Sequence, residues 1–182
     1  MFQVDIIEKC KQNNRKAQMQ LYNQYCNGMY IVAKRFVKDD MDAEDVLQDA
    51  FIKAFSKLHQ FKNEVTFGAW LKRIVINKCI DFLKSKKQQL VDLEERHLKV
   101  VDTDNDKWLV EDTITIDEVK EAINKLPDKY KYVVTLYLIE GYDHQEISEI
   151  LDISEVTSRT QLSRGKIKLQ KLLTLEKDGT RY

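Results

Sequence analysis

The chain has 182 residues, with 30 Lys and Arg against 30 Asp and Glu, and only one proline and five glycines. That length holds one medium domain or two small ones, and few helix breakers beside abundant Leu, Lys, Glu, Gln and Ile predict an all-α protein without substantial sheet. The opening MFQVDIIEKCKQNNRK lacks the apolar core of a signal peptide, and no run reaches the roughly 18 apolar residues of a membrane span. The expectation is therefore a soluble, cytoplasmic protein with no membrane insertion of its own.

Along the chain, residues 17–37 place Leu21, Tyr25, Met29, Val32 and Phe36 at helical spacing on one face. Residues 39–50, DDMDAEDVLQDA, hold six acids and no base. Asp42 is positioned to cap the helix that follows, in which Val46, Leu47, Ala50, Phe51, Ala54, Phe55 and Leu58 form an apolar stripe opposite Glu44, Asp45, Gln48 and Asp49. Such acids in a first turn also suit the helix dipole. The stripe reads as core, which leaves the acidic side for a partner.

From about Thr66 to Lys87 the pattern predicts another helix, this one with two faces. Leu71, Val75, Cys79 and Phe82 follow one, while Phe67, Trp70, Ile74, Asn77 and Asp81 follow the other. Residues 61–91 carry seven bases, among them Lys62, Lys72 and Arg73, and two acids. Rings interleaved with cations suit single-stranded nucleic acid, because bases stack on the rings and cations follow the backbone. The pattern alone fits a second core face equally well.

Residues 92–118 carry ten acids against three bases, cluster aspartates and lack apolar periodicity. They read as a flexible acidic linker between two small helical domains. The chain's zero net charge is thus an average over +6 in residues 1–91, −7 in 92–118 and +1 in 119–182.

In the second domain, Val119, Ala122, Ile123 and Leu126 predict a short helix interrupted by Pro127, and Val133, Val134, Tyr137 and Leu138 predict a second that ends at Gly141. Asp143 with Glu146 reads as a capping box opening a third helix, whose Ile147, Ile150 and Leu151 point inward. Asp152 tolerates a left-handed turn, Ile153 plugs the core and Ser154 caps a last helix with a thin seam at Leu162, Gly165, Leu169 and Leu172. Gly165 costs helix propensity, so it predicts close approach to a neighbouring helix. This is the grammar of a helix-turn-helix. The surface opposite the seam offers Thr157, Arg159, Thr160, Gln161, Arg164 and Lys168, and from Val156 to Leu173 there are five bases and no acid. Arg and Gln can address base edges in a major groove, while Ser, Thr and Lys mainly fix the backbone.

Cys10, Cys26 and Cys79 are odd in number and widely spaced, and His59, His97 and His144 lack ligand spacing, so neither a disulfide framework nor a metal site is assigned. No nucleophile with a base, paired carboxylates or phosphate-cradling glycine loop is found, so no enzymatic activity and no cofactor are expected. Read residue by residue, the chain suits three functions. It could grip a basic partner surface with one element and a phosphate backbone with another, act as a stand-alone helix-turn-helix regulator with an N-terminal sensing or dimerisation domain, or serve as a helical adaptor.

Three motifs narrow the choice. DAEDVLQDAFIKAF resembles the polymerase-docking helix of RNA polymerase sigma factors of the sigma-70 family, extracytoplasmic function (ECF) type. FKNEVTFGAWLKRIVINKCIDFLKSKK resembles their −10 melting segment, and LPDKYKYVVTLYLIEGYDHQEISEILDISEVTSRTQLSRGKIKL resembles their −35-reading domain. The resemblance covers nearly the whole chain. It implies a sigma region 2-like domain at 1–91, an acidic linker at 92–118, a region 4-like helix-turn-helix domain at 119–175 and a tail at 176–182.

It further implies that Asp45, Gln48, Asp49 and Phe51 meet core RNA polymerase, whose clamp helices and flap are the expected contacts. Phe61, Lys62, Phe67, Trp70, Lys72, Arg73 and Asn77 would hold the separated −10 strand of promoter DNA, and Ser154, Thr157, Arg159, Thr160, Gln161, Arg164 and Lys168 would read the −35 duplex. An anti-sigma factor is an expected further partner. The chain departs from the family where Asp152 replaces the usual Gly, Val156 a frequent Gly, Ser158 a commonly apolar residue and Gly165 the usual Ala.

Overall fold

The computed structural model describes residues 2–90 and 114–179, which fold as two separate compact units. Among the described residues every regular element is a helix or helical turn, as the all-α expectation requires, and no helix is long and apolar enough to cross a membrane. The expected acidic linker lies outside the described residues as far as position 113.

The first unit contains α1 (Phe2–Lys11), α2 (Arg15–Phe36), α3 (Asp40–Ser56) and α4 (Phe67–Leu90). The periodicity reading passed over α1, which is short but buries Ile7 and Cys10 against α2. Asn13 turns the chain at φ 59°, and the Asn14 side chain then accepts a hydrogen bond from the Ala17 amide, starting α2. α2 buries Leu21, Met29, Val32 and Phe36 as its spacing predicts, with Tyr25 half-buried.

The cap of α3 is Asp39, not Asp42. Asp39 accepts from the Asp42 amide at 3.0 Å, and the helix begins one residue later. With aspartates at 39, 40 and 42, composition alone does not choose among them; the extended backbone of Asp39 does. Helices α2, α3 and α4 pack pairwise around the unit's core. Thr66 caps α4 by accepting from the Ala69 amide. The buried seam of α4 is Phe67, Leu71, Val75, Ile76, Cys79 and Ile80, so Phe67 belongs to the core, and the remaining apolar members of its expected second stripe, Trp70 and Ile74, lie at the core margin.

The second unit contains α5 (Ile116–Lys125), α6 (Asp128–Val134), α7 (His144–Leu151) and α8 (Glu155–Gly179). Thr115 and Glu118 form a complete capping box, so α5 starts at Ile116, inside the stretch expected to be linker. After α6 the helix widens into a π-type turn over Thr135–Ile139, closed by the Glu140 amide donating to the Thr135 carbonyl five residues back. The extra residue shifts the register. Thr135 and Leu136 are buried, whereas Tyr137 and Leu138, expected inside, are exposed with Ile139. Gly141, at φ 76°, ends the turn.

The Asp143–Glu146 capping box opens α7, Asp152 caps its end in the left-handed region (φ 58°, ψ 51°), and Ser154 accepts from the Thr157 amide to begin α8. The seam of α8 is Ser158, Leu162, Gly165, Leu169 and Leu173, all buried, while Leu172 is only half-buried. A Cβ on Gly165 would stand 2.6 Å from Val134 Cγ2, so the glycine admits α6 at a separation no side chain allows.

Ser158 is fully buried and shares a 2.9 Å hydrogen bond with His144 Nδ1, tying α8 to the first residue of α7. The His144 ring also stacks on Tyr137 with centroids 4.9 Å apart. Desolvation, reinforced by Arg159 and Lys166 and opposed by Asp143 and Glu155, holds the imidazole below its ordinary value of 6.5.

Two outcomes are expected. Replacing Asp152 by glycine removes the cost of a left-handed L-residue, so Asp152→Gly raises stability by about 1 kcal/mol, measured as a shift in the denaturant midpoint at constant slope. The depressed His144 value means that the unfolded chain takes up the proton first as pH falls through 6.5. Stability is therefore full above that pH and declines below it until the folded form protonates too. The difference in denaturation between wild type and His144→Gln, followed from pH 7.5 to 5.5, isolates this slope from the other histidines.

A candidate polymerase and nucleic-acid interface

In the first unit the acidic side of α3 and the basic side of α4 lie next to each other. Asp42 pairs with Lys86 at 2.7 Å and Asp49 with Lys78 at 3.3 Å, all four partly or largely exposed. Asp42 holds the Lys86 ammonium above its usual range. At the start of α3, Asp40 accepts from the Tyr30 hydroxyl and pairs with Lys34, and these contacts hold its carboxyl below the usual range.

Between α3 and α4 runs a groove of about 560 Å³ lined by Asp45, Gln48, Asp49 and Ile52 on one side and by Lys78 and Phe82 on the other. Three of the four residues expected to meet a polymerase thus share one wall. The fourth, Phe51, does not; it is buried at 3% exposure against the rings of Tyr22 and Phe55. Its place on the apolar stripe makes it core beneath the surface. Ile52, 68% exposed on the acidic side, was missed by the sequence reading. An apolar residue off the stripe was the available signal.

The proposed strand-binding residues divide similarly. Phe61, Phe67 and Trp70 form a cluster with centroids 5.3–5.7 Å apart, extended by Tyr25 edge-on to Phe67 at 5.3 Å. Gly68 admits that tyrosine, since a Cβ there would lie 3.0 Å from Tyr25 Cε1. Phe61 and Phe67 are 4% and 2% exposed, so neither offers a stacking face. They pack against Trp70, the one ring of the three that is half-buried rather than buried. Lys62 and Arg73 are exposed, and Lys72 and Asn77 are half-buried around the same end of α4.

In the second unit the start of α8 is ordered by its own hydroxyls. Ser154 and Thr157 Oγ atoms are 2.8 Å apart, and the Thr160 hydroxyl donates to the Val156 carbonyl. These three are spent largely on local structure. Arg159, exposed and paired with Glu155 at 3.2 Å, projects outward, while Gln161, Arg164 and Lys168 are half-buried along the same helix. Lys168 lies over Tyr130 at 5.8 Å and Lys166 over Tyr137 at 5.9 Å. Val156, 73% exposed one turn before Thr160, adds an apolar contact able to meet a thymine methyl. Among the described residues no cluster of potential metal ligands occurs.

Comparison with known proteins places both units. Residues 21–89 match the Sigma-70 region 2 family and residues 116–169 the Sigma-70 region 4 family. The ECF RNA polymerase sigma-E factor of Haemophilus influenzae is 30% identical over 172 residues, covering 88% of this chain and 89% of that protein. The ECF RNA polymerase sigma factor SigW of Bacillus subtilis is 31% identical over 176 residues, covering 92% and 94%. Among solved structures, the sigma factor RpoE in complex with the anti-sigma factor NepR from Bartonella quintana shares the fold at TM-score 0.58 and 21% identity, covering 86% of this chain and 96% of that one. CnrH in complex with the cytosolic domain of CnrY does so at TM-score 0.56 and 23% identity, covering 93% and 96%. With both domains matched in order and relatives of 30% and 31% identity covered along nearly their whole length, this protein belongs to the ECF RNA polymerase sigma factors of the sigma-70 family.

Proposed function

We propose that this sigma factor directs core RNA polymerase to promoters through three surfaces. The α3 wall of Asp45, Gln48 and Asp49, with exposed Ile52, docks on the basic clamp helices of the polymerase. Trp70, backed by Phe61 and Phe67 and flanked by Lys62, Lys72, Arg73 and Asn77, holds the separated −10 strand. The N-terminal half of α8 reads the −35 duplex through Arg159, Gln161 and Arg164, with Lys168 on the backbone, while Ser154, Thr157 and Thr160 order the helix start. Residues 1–91 and 119–175, preceded by the Thr115 cap, bound the two working domains. The polymerase flap is the expected partner of the second domain.

The carrying observation is the order of these surfaces along one chain. Docking acids precede a ring-and-cation helix, which precedes a helix-turn-helix, and relatives named as sigma factors match across all of it. A stand-alone regulator with a sensing domain is not supported, because residues 21–89 match the sigma region 2 family rather than a sensor. The work is binding, with catalysis supplied by the polymerase in the cytoplasm. The Bartonella quintana sigma factor of the same fold, solved in complex with the anti-sigma factor NepR, supports a masking partner of that class for this chain.

Reconstitution with core polymerase and run-off transcription from the promoter of its own gene tests the reading as a whole. Absence of both core binding and transcript would sink it. Asp45→Lys, which sets a cation against a basic docking surface, is expected to weaken core association at least tenfold, equivalent to about 1.4 kcal/mol, read by competition with unmodified protein. Trp70→Ala removes one stacking face worth about 1–3 kcal/mol, so open-complex formation should fall about tenfold, measured by permanganate reactivity of unpaired thymines, while core binding stays unchanged.

A further inference from the structure

Half-buried His144 and fully buried Ser158 form a pair that sits where the reading residues are oriented. A serine facing a core is an unusual seam residue, because its hydroxyl must find a partner once water is excluded. Here the partner is His144 Nδ1 at 2.9 Å, reached across the turn from the first residue of α7. Ser158 is fully buried, and the histidine ring is held in turn by its stack on Tyr137. The bond is directional, unlike the apolar contact that Leu162 or Leu169 makes elsewhere on the same seam.

Position matters as much as chemistry. Successive residues of a helix are about 100° apart around its axis, so Thr157 and Arg159 project on either side of Ser158. Whatever fixes the rotation of Ser158 fixes the aim of both. Two turns further on, Gly165 is pressed against Val134, which sets the depth of α8 on α6. The segment 159–164, which holds Arg159, Thr160, Gln161 and Arg164, is therefore held between a hydrogen-bonded contact and a steric one.

We infer that the His144–Ser158 hydrogen bond is a specificity-determining positioning pair, setting the rotation of α8 about its axis and with it the bases that Arg159 and its neighbours address. Neither residue touches DNA. The inference rests on the assignment of α8 to the −35 duplex and deepens it. An apolar residue at 158 would hold the seam without fixing this rotation, so the serine implies a −35 preference particular to this chain.

The test compares Ser158→Thr with Ser158→Val, which match in shape and differ only in the hydroxyl. His144→Gln, which keeps a side chain able to hydrogen-bond, and His144→Phe, which keeps only a ring for the Tyr137 stack, form the second matched pair. Each full-length protein is assembled with core polymerase and challenged with a promoter library randomised at the −35 element, and the bound sequences are counted. Core affinity and thermal unfolding of the free chain are measured alongside.

Wild type and Ser158→Thr are expected to select the same −35 sequences. Ser158→Val and His144→Phe should lose about fivefold in discrimination, as for one buried hydrogen bond, and shift base preference at positions addressed by the start of α8. A merely structural role would lower stability and leave the order of preferred bases unchanged. Unchanged preference in Ser158→Val and His144→Phe overturns the inference. Absence of any −35 preference in the wild-type holoenzyme would instead overturn the assignment of α8 on which it rests.

Discussion

Each unit depends on one long helix that buries a seam along one side and reaches solvent on the other. In α8 the seam is one residue wide at Ser158, Leu162, Gly165, Leu169 and Leu173, and α5, α6 and α7 are arranged to cover it. Full burial of a leucine is worth about 1.5–3 kcal/mol, so three leucines hold the helix in place without recruiting its other faces. Those faces stay available for cations, which a wider core would have displaced. α4 follows the same plan with a broader seam, because it packs against both α2 and α3. Its ring cluster then lies at the rim, where Trp70 can be supported from beneath and still meet solvent.

The ion pairs between α3 and α4 have a different standing. Asp42–Lys86 and Asp49–Lys78 join partly or largely exposed groups, and such pairs typically contribute no more than about 1 kcal/mol each. They align two helices whose fields would otherwise repel within each helix, yet they are weak enough for a partner's charges to replace. An acidic wall permanently neutralised by strong buried pairs could not serve as a docking surface. Arg159 with Glu155 presents the same economy on α8: the guanidinium is oriented by a neighbour four residues away but is not committed to it.

Much of this was legible because seams and caps obey local rules. The 3.6-residue period exposed the cores of α2, α3 and α8, the Asp143–Glu146 spacing announced the start of α7, and Gly165 announced a close approach that the Val134 contact bears out. What escaped depended on departures from those rules. The π-type turn at Thr135–Ile139 inserts a residue into an otherwise helical pattern, so a period fitted across it turns Tyr137 and Leu138 the wrong way. Phe61 and Phe67 carry the composition of a stacking surface, but whether a ring faces inward depends on partners such as Tyr25, 42 positions before Phe67 in sequence. Ser158 stood out as a departure from a commonly apolar position, and only the tertiary placement of His144 shows why a hydroxyl belongs in the seam.

The global neutrality of the chain has a physical consequence for how its DNA surfaces work. Affinity for duplex rises with the number of phosphates neutralised and counterions released, and the second domain carries only one net positive charge over residues 119–182. Acids at Glu149, Asp152 and Glu155 stand close to the start of α8, so its cations hold their local field without producing a strong long-range one. A helix of this kind orients well on a duplex already nearby and recruits poorly from a distance. The first domain has more positive charge, but an acidic wall beside it. Two weak surfaces carried on one chain become effective when a third body holds both at once, since the second contact then forms at high local concentration. Under the proposed assignment of these surfaces, restraint in net charge makes promoter engagement depend on polymerase, and segregating the charge within each domain keeps the surfaces usable when that condition is met.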